Sequence, residues 1–137
     1  MRSLSGARAN VPATAADARA LVREKITSTA PRLQDTEDGG RVMADALLVT
    51  SELVTNALRH GGGLTAFDLL TTESELILNV ADASTDLPVT TDPADREAHQ
   101  IGGYGWPLVC SLAQHVAITP LRDGKQITIL IPLIPPA

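Results

Sequence analysis

From Thr14 to Pro31 apolar residues recur every three to four positions, with Ala18, Leu21, Val22 and Ile26 on one face, a capping hydroxyl at Thr14 and an acid at Asp17. That spacing predicts a first helix, stopped by Pro31. Gly39-Gly40 reads as a break before a second, longer helix over about Val42–Arg59, ended by the Gly61-Gly62-Gly63 run. Two stretches rich in aliphatic and β-branched residues, 64–72 and 75–82, flank a short polar turn and predict a hairpin. A long polar connection with Pro88 and Pro93 spans 83–99, and connections of that length usually serve function or motion. Ile101-Gly-Gly-Tyr-Gly-Trp-Pro107 opens a third helix running to about Gln114. Residues 116–119 and 126–133, joined by a turn containing Asp123-Gly124, predict a second hairpin.

Helix, helix, hairpin, helix, hairpin implies an α+β fold, a two-layer sandwich with helices on one face of a mixed, mostly antiparallel sheet. Residues 1–13 have no sustained period and are expected to form a flexible N-terminal arm, with 14–137 as one domain.

Composition narrows the function. The chain has 137 residues and 16 acidic against 11 basic side chains, for a net charge of −5. An acidic balance with one Trp, one Tyr and one Phe argues against direct nucleic-acid binding, which needs a basic footprint and stacking platforms. No apolar run approaches the roughly 20 residues of a membrane span, and no secretory pattern opens the chain. With Cys110 as the lone cysteine, a reducing, cytoplasmic setting is expected. The remaining partner classes are a small ligand, another protein or a second copy of the chain.

Three places could carry chemistry. On the second helix, Leu47, Thr50, Val54 and Ala57 fall within about 40° of Met43 and form the expected buried face. Glu52 and Asn56 lie near the opposite side, one turn apart, with Asp45, Arg59 and His60 nearby. Such a carboxylate can take a proton from a nucleophile and such a carboxamide oxygen can bind Mg²⁺; the same pair is also an ordinary solvated face. Asp82 ends an apolar strand before Ala83-Ser84, small residues that let a flat ligand approach; it could accept a hydrogen bond from an exocyclic amine, or simply form a turn. Gly102, Gly103 and Gly105 open a helix whose free N–H groups suit a phosphate chain, though a plain turn has the same composition. His99, His115 and Cys110 lack partners at metal spacing, and the Thr128 hydroxyl fits strand propensity.

Taken in order, these motifs resemble the GHKL, or Bergerat-fold, ATPases, which include gyrase, the heat-shock chaperone ATPase and histidine kinases. Ser51-Glu-Leu-Val-Thr-Asn-Ala-Leu-Arg-His-Gly61 is similar to the N-box of their anti-sigma-factor serine kinase branch. Val80-Ala-Asp-Ala-Ser84 with Leu87-Pro88 resembles its first glycine box, and Gly102-Gly-Tyr-Gly-Trp-Pro-Leu108 its second. The resemblance spans about 18–133. It implies an ATP site in which Asn56 binds Mg²⁺, Glu52 is the general base, Asp82 holds the adenine amine beside Ser84, and Gly102, Gly103 and Gly105 belong to the phosphate lid. Trp106-Pro107 departs from the usual lid sequence, and the hydroxyl often found just after Gly-Lys is Gln126 here; Thr128, two residues on along the same strand face, is the hydroxyl expected at the adenine side of the nucleotide.

The function so implied is transfer of the γ-phosphoryl group to a serine or threonine of a small antagonist protein, with capture of a sigma factor in its absence. Two alternatives stay open: a nucleotide-gated binding module without turnover, and a histidine-kinase-like catalytic domain acting in trans. The last lacks dimerisation and phosphoacceptor helices, since His60 lies inside the ATP motif itself.

Overall fold

Thr14 caps the first helix as its spacing predicts: the side chain accepts from the Asp17 N–H at 3.0 Å, and α1 runs Ala15–Thr29. Pro31 ends it and starts a short 3₁₀ turn, Pro31–Asp35. The chain is described as a computed structural model, covering residues 11–87 and 105–133. Among these residues follow α2 (Gly39–His60), β1 (Leu64–Thr71), β2 (Glu75–Asp82), α3 (Gly105–Leu112), β3 (His115–Leu121) and β4 (Gly124–Pro132). Residues 1–10 of the expected N-terminal arm, 88–99 of the long connection, and Gly102 and Gly103 lie outside the described residues.

Gly39-Gly40 does not break the chain; it forms the first turn of α2. The reason is packing. A Cβ on Gly39 would collide with the Leu33 carbonyl oxygen, so the missing side chain lets α2 start directly against the 3₁₀ turn. At the other end Gly62 (φ 72°) and Gly63 (φ 118°) adopt the left-handed region, and both the Gly61 and Gly63 N–H groups donate to the Ala57 carbonyl. This reversal feeds α2 into β1.

The four strands lie in the order β1-β2-β4-β3, every neighbouring pair antiparallel. Two hairpins therefore dock through β2 and β4, the central strands. Along these strands Leu76, Leu78, Val80, Ile127, Ile129 and Ile131 are buried in one core with Phe67 of β1 and Val49, Leu53 and Val54 of α2. Helices α1 and α3 pack on either side of α2, which itself lies on β1 and β2. This is the α+β two-layer sandwich expected from the element order.

The boundaries shift modestly elsewhere. The third helix is shorter than its pattern, Gly105–Leu112 instead of ending near Gln114, because the Gln114 N–H pairs with the Leu130 carbonyl and joins the sheet. In the second hairpin Leu121 pairs with Gly124, so Arg122-Asp123 make the turn and Gly124 belongs to the strand. Buried positions on α2 cover a wider arc than expected, adding Ala46, Val49 and Leu53, because two helices, the 3₁₀ turn and two strands press on the helix. No described helix is long and apolar enough to cross a membrane.

Candidate functional site

Helix α2 presents Glu52 and Asn56 on the flank that meets the start of α3, where both are half-buried. Gly105, the first residue of α3, is pressed against them: a Cβ there would run into Glu52 Oε1 and sit 3.4 Å from Glu52 Cδ and 3.8 Å from Asn56 Nδ2. Spacing of four puts the two side chains on one stripe, and the glycine lets a helix N-terminus approach it. The unpaired N–H groups of that first turn bring partial positive charge beside the carboxamide. Arg19 of α1 braces the stretch, donating from Nη1 to Ser51 Oγ at 2.9 Å.

Asp82 stands where the end of β2 meets the C-terminal end of α2. It is 6 % exposed. Its Oδ1 accepts from the Ser84 N–H and from Lys125 Nζ, each at 3.0 Å, and Lys125 Nζ also donates to the Ser84 carbonyl at 3.3 Å. Gly61 lies on Oδ2, where a Cβ would come within 2.6 Å, and the Ala83 N–H donates to the Gly61 carbonyl at 2.8 Å. Gly124 closes the third side, since a Cβ there would collide with the Asp82 carbonyl oxygen. Two glycines thus bring the end of α2 and the start of β4 against one acid.

From the level of Gly61 to that of Glu52 is about 13 Å along the helix axis at 1.5 Å per residue. An elongated ligand laid along α2 would meet an acceptor at one end, then a carboxamide, then a carboxylate and a helix N-terminus.

Other sequence-predicted residues fall as follows. Ser84 supports Asp82 through its backbone N–H, and its hydroxyl accepts from the Asp86 N–H. Gly105 joins Glu52 and Asn56, whereas Gly102 and Gly103 lie outside the described residues. Thr128 is not brought to Asp82 or to the Glu52–Asn56 stripe. It alternates with the buried Ile127 and Ile129, faces away from the helices, and donates its hydroxyl to Asn79 Oδ1. Gln126 shares that outward phase, so the residue of β4 that faces Asp82 is Lys125, their Cα positions being paired in register. The sequence does carry a signal for it: Lys125 is in phase with Ile127, Ile129 and Ile131, and a lysine on a core face needs a counter-charge. Arg59, His60 and His115 are exposed, and Asp45 is half-buried. Cys110 is exposed on α3, and partial burial of its thiol raises its pKa, which disfavours the reactive thiolate.

An α+β sandwich with an acidic strand end, a polar helix stripe and a glycine at a facing helix start is the architecture of a nucleotide-binding domain. The family model for the histidine kinase-like ATPase domain matches residues 7–131, and the chain belongs to that family. It is a GHKL-type ATP-binding module, of a group that includes kinases and ATPases. No curated protein matches the chain.

Proposed function

We propose that the chain binds Mg·ATP along α2 and transfers the γ-phosphoryl group to a serine or threonine hydroxyl of a small antagonist protein, holding a sigma factor when that antagonist is absent. The observation that carries this reading is the arrangement of Glu52 and Asn56 against Gly105 with Asp82 buried at the C-terminal end of the same helix. Asp82 accepts the hydrogen bond of the adenine amine through Oδ2, Asn56 contributes its carboxamide oxygen to Mg²⁺, and Glu52 takes the proton of the incoming hydroxyl. Among the described residues no group of three or more His, Cys, Asp or Glu could hold a metal ion, so the remaining Mg²⁺ ligands would be phosphate oxygens and water. Mg²⁺ supplies charge neutralisation at the phosphates; the chain supplies position and a base, which is what phosphoryl transfer chiefly needs. Ser84 steadies Asp82, and Gly105 brings its helix start to the phosphate end; Gly102 and Gly103, assigned with it to the phosphate lid by the family resemblance, lie outside the described residues.

Incubation of the full chain with γ-labelled ATP, Mg²⁺ and antagonist-type proteins from the same genome tests this. Label on a serine or threonine of one such protein, lost in Glu52→Ala, is the expected result. Saturable Mg·ATP binding with no labelled partner would instead leave a nucleotide-gated binding module.

A further inference from the structure

The Lys125–Asp82 pair is a costly device for joining two hairpins. Both side chains are 7 % exposed. Two apolar residues in these positions would hold the β2–β4 contact at least as well, since the desolvation of a buried pair offsets most of its attraction. Its effect is instead to present the carboxylate asymmetrically. Oδ1 is occupied by the Lys125 ammonium and the Ser84 N–H, whereas Oδ2 receives no hydrogen bond from any described residue and lies against the Gly61 backbone, which the missing side chain lets come this close. Lys125 Nζ also ties itself to the Ser84 carbonyl, so the acid is clamped between the β2 end and β4 and cannot swing to follow a displaced ligand.

We infer that Lys125 is a positioning residue that sets base selectivity: it holds Asp82 as a fixed, acceptor-only carboxylate, so that the site takes 6-amino purine nucleotides and rejects 6-oxo ones. This rests on the reading of Asp82 as the acceptor of the base amine. A carboxylate has no proton to donate and meets a 6-oxo group with oxygen against oxygen. Without the ammonium, Oδ1 loses its charged partner, and the carboxylate turns or draws in water, because an unpaired buried charge is costly. A water beside the carboxylate can donate to a 6-oxo group, and a carboxylate that turns can move around it, so discrimination falls.

ADP and IDP differ in the base at position 6, amino against oxo, and in the proton that the 6-oxo base carries on N1, and calorimetric titration of the full chain with each reads the ratio of affinities. The wild type should bind ADP at least about tenfold more tightly than IDP, and Lys125→Met should shrink that ratio about tenfold, mainly through weaker ADP binding. Lys125→Gln, which keeps a donor and loses the charge, provides the same reading should the methionine variant fail to fold; Lys125→Arg should retain the ratio. Asp82→Asn separates the two layers of the inference. If it leaves ADP affinity unchanged, the reading of Asp82 fails and this proposal with it. If Asp82→Asn weakens ADP while folded Lys125→Met or Lys125→Gln keeps the wild-type ratio, the role of Lys125 alone is overturned.

Discussion

Gly61 lies against Asp82 with no room between them: a Cβ on the glycine would stand 2.6 Å from Oδ2 and 2.8 Å from the Asp82 Cβ. The Gly61 backbone has φ −101°, a conformation open to any residue, so only the contact requires glycine. Gly61→Ala is therefore predicted to destabilise the fold by about 1–3 kcal/mol through overpacking and to weaken ATP binding as Asp82 is displaced. Chemical denaturation and calorimetry check both; an alanine variant as stable and as tight as the wild type would remove Gly61 from the site.

Asp82→Asn keeps the shape and replaces a charged acceptor with a neutral one. Mg·ATP affinity should fall by about 1–3 kcal/mol. The lost partner of Lys125 also lowers stability, so binding is measured well below the melting transition. No change in affinity would sink the adenine contact.

Glu52 and Asn56 are predicted to separate kinetically although they share one helix stripe. Glu52→Ala should leave nucleotide affinity nearly intact while phosphoryl transfer drops by roughly 10²–10⁴-fold. Asn56→Ala should weaken binding only when Mg²⁺ is present. Equal, small effects of the two changes on turnover would return the pair to a solvated helix face.

Gly105→Ala places a methyl group against the end of a flexible side chain, Glu52 Oε1, and not against backbone. The fold should tolerate it, with a stability change within about 1 kcal/mol, because alanine also favours the helix. Transfer should fall by about 10²-fold, since misplacing a reacting group by about an ångström carries that cost. Parallel loss of stability and activity would mean that Gly105 serves packing alone.

Much of the layout was legible in the sequence because it depends on neighbours along the chain. Thr14 and Pro31 bracket α1, and Glu75–Asp82 is found with the expected bounds, since caps, prolines and period-two runs act locally. The i, i+4 placement of Glu52 and Asn56 follows from helix geometry alone. What escaped were contacts across the fold. Gly39-Gly40 looks like a breaker until the Leu33 carbonyl beside it is seen, and Gly124 looks like a turn residue until Asp82 is found packed against it. Thr128 is a hydroxyl on the strand that borders Asp82, yet it alternates with the buried Ile127 and Ile129 and so points outward, while Lys125 is in phase with them. That phase is legible in the local alternation; the pairing of Lys125 with Asp82 is not, because it is set between strands of different hairpins, which no local pattern specifies.

Lys125 and Asp82 lie 43 residues apart in the chain, one from each hairpin. Neither hairpin alone contains the paired carboxylate, and closing a loop of that span is entropically opposed. On the proposed role of Asp82, a nucleotide that recognises the clamped carboxylate recognises only chains in which both hairpins have docked. Its binding would then draw the population toward complete assembly and raise the apparent melting temperature with ligand concentration, so that nucleotide supply would act on the maturation of this protein as well as on its output.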